Sequence, residues 1–114
     1  MDKKYKGVII EESLSDNLIL NNLEIVRFKI SKDENPADRW HLFTVIVSED
    51  DIEKLSNLIL DKWYMHFWSG NDIIAIFKGK KFEFKLDDKA TWELAVQHGL
   101  SIGIPKEQLD FVTE

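Results

Sequence analysis

The chain has 114 residues, 44% of them hydrophobic and 32% charged, which is the balance of one globular α+β-sized domain over 1–114 rather than of a disordered segment. Its net charge of −6, with Arg27 and Arg39 the only arginines, argues against nucleic acid as a partner, because such proteins neutralise phosphates with basic side chains. Without cysteine, disulfides, thiolate metal sites and thiol catalysis are excluded, and without a long apolar run or an export signal the expectation is a cytoplasmic protein with no membrane association.

Tyr5 to Glu11 reads as a strand through Val8, Ile9 and Ile10. Glu12 to Asn22 is a polar connection with room for one helical turn near Leu18 to Leu20. From Leu23 the residues alternate, with Val26, Phe28 and Ile30 on one side and Arg27, Lys29 and Ser31 on the other. Lys32 to Arg39 holds turn formers and charges and connects two strands. Trp40 to Val47 is rich in β-branched residues, as an interior strand requires. Ser48 then caps a helix whose first turn carries Glu49, Asp50 and Asp51, where the dipole is positive. Ile52, Leu55, Leu58 and Ile59 form its apolar stripe.

Trp63 to Leu86 reads as three strands joined by two tight turns, each with a glycine (Gly70, Gly79) first in a two-residue loop. That geometry sets Ser69 opposite Asp72 and Lys78 opposite Lys81. One face then collects Tyr64, His66, Trp68, Ile73, Ala75, Phe77, Phe82, Phe84 and Leu86. The other collects Trp63, Met65, Phe67, Ile74 and Ile76, with Lys81, Glu83 and Lys85. Lysine along the last strand is a common guard against edge-to-edge aggregation. Asp87 or Asp88 caps a second helix with Trp92, Ala95 and Val96 buried and Gly99 at the C′ position. Leu100 to Ile104 is expected to be extended, with one helical turn from Pro105. The order βββαβββα implies an α+β fold, an antiparallel-rich sheet of about six strands with both helices on one face.

No nucleotide-binding, hydrolase or metal-ligand spacing is present, so no catalytic residue, cofactor or metal is assigned. His98 suits a helix C-terminus as an imidazolium. His41 follows a loop with Asp33, Glu34 and Asp38, any of which could orient it as a general base. His66 lies between Tyr64 and Trp68 on an aromatic face, as a core histidine or as the polar group of a small-ligand pocket. Glu11-Glu12-Ser13 is the one acidic cluster that helix capping does not explain. Four tryptophans exceed what so small a core hides, and Trp63, at a strand end, is the expected half-exposed one.

The segments YKGVIIEESL, WHLFTV, WYMHFW and GLSIGIPKEQLDF together resemble a family of small prokaryotic proteins of unknown function. The resemblance implies a bacterial or archaeal origin and brings no activity, cofactor or site residue. Two functional readings follow. In the first, a non-catalytic binding or regulatory module recognises a protein partner, or a second copy as a homodimer, through Trp63, Met65 and Phe67. In the second, a small enzyme or ligand-binding protein uses a pocket at His66, Tyr64 and Trp68.

Overall fold

The computed structural model describes residues 3–111 and 113; Met1, Asp2, Val112 and Glu114, part of the domain expected over 1–114, lie outside the described residues. Six strands and two helices run in the expected order: β1 (Lys4–Ile10), β2 (Glu24–Ile30), β3 (His41–Ser48), α1 (Glu49–Leu58), β4 (Met65–Ser69), β5 (Asp72–Phe77), β6 (Lys80–Lys85) and α2 (Glu93–Ser101). They form an α+β fold around one antiparallel sheet with spatial order β2-β3-β1-β4-β5-β6. Among the described residues, no helix is long and apolar enough to cross a membrane.

Pleat parity divides the core into two layers. Ile52 and Leu55 of α1 pack with Ile59 on Ile9, Val45, Val47, Met65, Phe67, Ile74 and Ile76. Ala95 of α2 and the following segment, through Ile104, Leu109 and Phe111, pack on Ile73, Ala75, Phe77 and Phe84. The two helices therefore lie on opposite faces, not on one as the sequence suggested. Strand β5 gives the reason. Ile73 through Phe77 are all buried, so both faces of β5 need a cover. Lys81, Glu83 and Lys85 stay exposed at the sheet edge, despite sharing a face with residues buried under α1.

Local chemistry explains the element ends. Ser48 and Asp51 form a reciprocal capping box: the Ser48 hydroxyl accepts from the Asp51 N–H at 3.2 Å, and the Asp51 carboxylate accepts from the Ser48 N–H at 3.0 Å. Asp88 accepts from the Ala90 N–H and starts a 3₁₀ turn, Lys89–Trp92, that runs into α2. Gly99 lies inside α2 rather than ending it, and Leu100 to Ser101 are helical rather than extended. A Cβ on Gly99 would stand 2.8 Å from Leu109. The helix ends in a Schellman motif four residues later: Ile104 N–H bonds Gly99 O, Gly103 N–H bonds Leu100 O, and Gly103 has φ 95°.

Both hairpin glycines have positive φ, 59° at Gly70 and 69° at Gly79. The first hairpin has the expected register, with Ser69 opposite Asp72 and His66 opposite Ala75. In the second, Phe77 pairs with Lys80, so the loop is Lys78-Gly79 and its glycine comes second. The shift is even in length and leaves every side chain on its expected face. A tertiary bond accounts for it: Gly79 N–H donates to Ser56 O of α1 at 2.9 Å. A Cβ at Gly70 or Gly79 meets nothing within 4 Å, so Gly→Ala at either is expected to cost about 1 kcal/mol through backbone strain alone, read from chemical denaturation.

Candidate functional site

Three strand ends meet at one end of the sheet, where β1 finishes, β3 begins and β4 begins. They frame a cleft of about 450 Å³. Val8 and Ile10 form its floor, Trp40 and Trp63 one wall, and Tyr64 and His66 the other. The segment after α2 closes it with Ile104, Glu107, Gln108 and Asp110. Apolar walls with a few polar groups at the rim are the usual make-up of a ligand site.

Each wall is held from outside the cleft. The Trp40 and Trp63 rings meet edge to face, with centroids 5.2 Å apart at 64°. Lys62, at φ 68°, takes a left-handed turn just before Trp63, and Trp63 N–H donates to Leu60 O. Of the tryptophans, Trp40 is the exposed one at 42%, while Trp63 is half-buried against the α1 layer. Trp63 is partly exposed, as the sequence suggested, and Trp40 is more exposed still. The Tyr64 hydroxyl donates to Gln108 O and so ties the closing segment to β4. Burial, helped by the nearby Asp110 charge, pushes that hydroxyl up to about 12.

His66 is half-buried rather than a fully enclosed core histidine. Its ring is flanked by Tyr64 (6.2 Å), Trp68 (5.5 Å) and Phe111, which meets it edge-on at 5.7 Å. Trp68 lies deeper along β4, against the α2 layer, and is not part of the cleft lining. Met65 and Phe67 are 3% and 0% exposed beneath α1. A partner could reach Phe67 only by displacing that helix, whereas Trp63 and Met65 also line the cleft. Trp63 and His66, assigned by sequence to two competing sites, line the same cleft.

His41 finds a carboxylate partner from elsewhere in the chain. Its Nδ1 lies 2.7 Å from Glu12, and its backbone N–H donates to the same carboxylate at 2.9 Å. The loop acids do not orient it; Arg39 closes that loop on itself by donating to Asp33 O at 2.8 Å. The pair explains half of the unexplained acidic cluster, and Glu11 accepts from Asn17. Hydrogen bonding to Glu12 raises the His41 pKa above 6.5. Partial burial pushes Glu12 up, but the His41 backbone and ring bonds together outweigh it and hold the carboxyl below its ordinary value. The His41 ring stacks on Phe28, away from the cleft lining.

The sign of the linkage follows. The His41 contribution is complete below its unfolded pKa of about 6.5 and is lost as pH rises through the raised folded value. The Glu12 contribution is complete above its unfolded pKa and is lost as pH falls through the depressed one. Proton-detected titration should give His41 a pKa above 6.5, and Glu12→Gln should return it toward the ordinary value; a His41 pKa unmoved by that substitution would contradict the pairing. His98 lies in the last turn of α2, where the sequence suggested an imidazolium, but its surroundings disfavour the charged form. It packs edge-on to Phe77 at 4.8 Å, and burial, then the Lys80 charge, lower its pKa.

Trp40, Glu107 and Asp110 were missed as cleft residues, and Glu12 as the histidine's partner. Alternation along β3, which puts Trp40 on the face opposite His41, is the sequence signal that could have placed it. In comparisons with protein-family models, with curated proteins and with solved structures, nothing matches this chain.

Proposed function

We propose that the protein is a non-catalytic binding module of the bacterial or archaeal cytoplasm that captures a basic side chain of a protein partner in the Trp40–Trp63–Tyr64–His66 cleft. One observation carries the reading: two aromatic walls share a cleft with two carboxylates, Glu107 and Asp110, against one ammonium, Lys62. Aromatic faces attract cations, and desolvation in a cleft strengthens the attraction. The acidic net charge of the chain acts in the same direction and disfavours nucleic acid. The Tyr64 hydroxyl supports a binding role over a catalytic one, because it is committed to Gln108 O and stays protonated far above neutral pH.

The test uses the ¹⁵N-labelled protein and two blocked amino acids, N-acetyl-arginine amide and N-acetyl-norleucine amide. The arginine derivative should shift the Trp40 and Trp63 indole N–H signals saturably, and the norleucine derivative should not. Trp40→Ala should abolish the response, and Asp110→Asn should weaken it severalfold. An equal response to both probes, or one that survives Trp40→Ala, would refute the reading.

A further inference from the structure

The two edges of the sheet differ in how they meet solvent. Strand β6 carries three lysines, Lys80, Lys81 and Lys85, against one glutamate, Glu83, a net positive edge that opposes pairing with another copy of itself. Strand β2 is seven residues long and exposed throughout, and no strand pairs with its outer side among the described residues. Its apolar side chains are open to solvent: Ile25 42%, Val26 50%, Phe28 52% and Ile30 39%. Its three charges are of mixed sign, Glu24, Arg27 and Lys29, and among the described residues none of them has an ion-pair partner within the chain.

We propose that β2 is a self-recognition edge, on which a second copy of this chain pairs its own β2 antiparallel to form a two-fold dimer with one continuous twelve-stranded sheet. The register is dictated by a bulge. Opposite β3, Ile25 pairs with Val45 and Arg27 with Thr44, which leaves Val26 as the extra residue. In a regular strand, Glu24 and Lys29 would point to opposite faces, as would Ile25 and Phe28. The bulge reverses this: Glu24 and Lys29 lie opposite Ile46 and Leu42 on one face, and Ile25 and Phe28 lie opposite Val45 and Phe43 on the other.

A two-fold axis passing between Val26 and Arg27 therefore sets Glu24 against Lys29 of the second copy, twice, and Ile25 against Phe28, twice. Every one of these pairs shares a face. Two other centres fail on charge: Arg27 placed opposite its own copy meets like charge, and Phe28 placed opposite its own copy sets Arg27 against Lys29. A centre between Ile25 and Val26 sets Glu24 against Arg27 but pairs only residues 24–27 of the strand, against 24–29 here. A bulge ordinarily protects an edge by spoiling its alternation. Here it brings the strand into register with itself.

Sedimentation equilibrium of the full chain over a concentration series tests the proposal. The expected result is a reversible monomer–dimer equilibrium based on the 13.4 kDa chain. Glu24→Lys should weaken the dimer on the order of tenfold, since both opposite-charge pairs become like-charge pairs. Glu24→Lys combined with Lys29→Glu should restore most of the loss, because the swap re-forms both pairs. Phe28→Lys, checked for an unchanged circular dichroism spectrum, should leave only monomer. A monomer at every concentration, open-ended polymers, a dimer that persists in folded Phe28→Lys, or a double swap no tighter than Glu24→Lys alone would each overturn the proposal. The swap involves only exposed side chains, so the test stands even where Phe28→Lys does not fold.

Discussion

Phe111→Ala is expected to destabilise the protein by about 3–5 kcal/mol, the cost of removing a large ring from a closed core. Phe111 is fully buried, with three residues after it in the sequence. Its ring meets Phe84 at 4.9 Å, Trp92 at 5.3 Å, Tyr64 at 5.6 Å and His66 at 5.7 Å, all at steep angles. Such edge-to-face contacts add to the stabilisation from burial alone. Its backbone sits at φ 46°, an unfavourable region for a bulky residue, so the packing also offsets local strain. Because the same segment closes the cleft, the variant should bind the arginine probe more weakly as well. Urea denaturation measures the loss; a change below about 1 kcal/mol would show that the plug does not hold the α2 layer in place.

Gly7→Ala is expected to cost about 3 kcal/mol, at the upper end of overpacking effects. Gly7 lies in the middle of β1, paired with Val45 on one side and Phe67 on the other. An added Cβ would stand 2.3 Å from Phe67 Cδ1, 2.9 Å from Phe67 Cε1 and 2.8 Å from the His66 carbonyl oxygen. The ring cannot retreat, because Phe67 is fully buried under α1, and the carbonyl belongs to the backbone of β4. The glycine is thus a seat for an aromatic ring in the centre of the sheet. Loss of stability should appear as a lower urea midpoint with the slope preserved. The additional variant Phe67→Leu should recover part of it by vacating the ring's space, although the carbonyl contact remains. An unchanged midpoint for Gly7→Ala would disprove this account of β1.

What could be read from the sequence was what neighbours along the chain decide. The order of elements, the Ser48 cap, the positive-φ glycines and the facing of each residue in β4, β5 and β6 follow from alternation and turn chemistry. The parts that could not be read depend on residues far apart. Nothing local to Lys4–Ile10 says that it pairs with both β3 and β4, and without that order the side taken by each helix is undetermined. Gly99 has the sequence context of a helix end, but its missing side chain serves Leu109 instead. Glu12 and His41 meet across the end of the β1–β3 ladder, a contact that neither residue's surroundings announce. For the cleft, the aromatics of Trp63 to His66 were recognised, but their partner wall at Trp40 depends on how β3 is placed beside β1.

The central position of β1 also governs the order in which the molecule can assemble. Strands β4, β5 and β6 are joined by two-residue turns, so they can zip together early from nearby contacts alone. Strand β1 is in a different position. Lys6 must find Trp68, and Ile9 must find Phe43, so β1 has no finished place until the chain has been made through β4. On a ribosome, β1 emerges before both of its partners, and its pairing is complete only after β4 has followed. Changes confined to the β5–β6 turn should therefore mainly slow folding, whereas changes in contacts made only as β1 docks should mainly hasten unfolding.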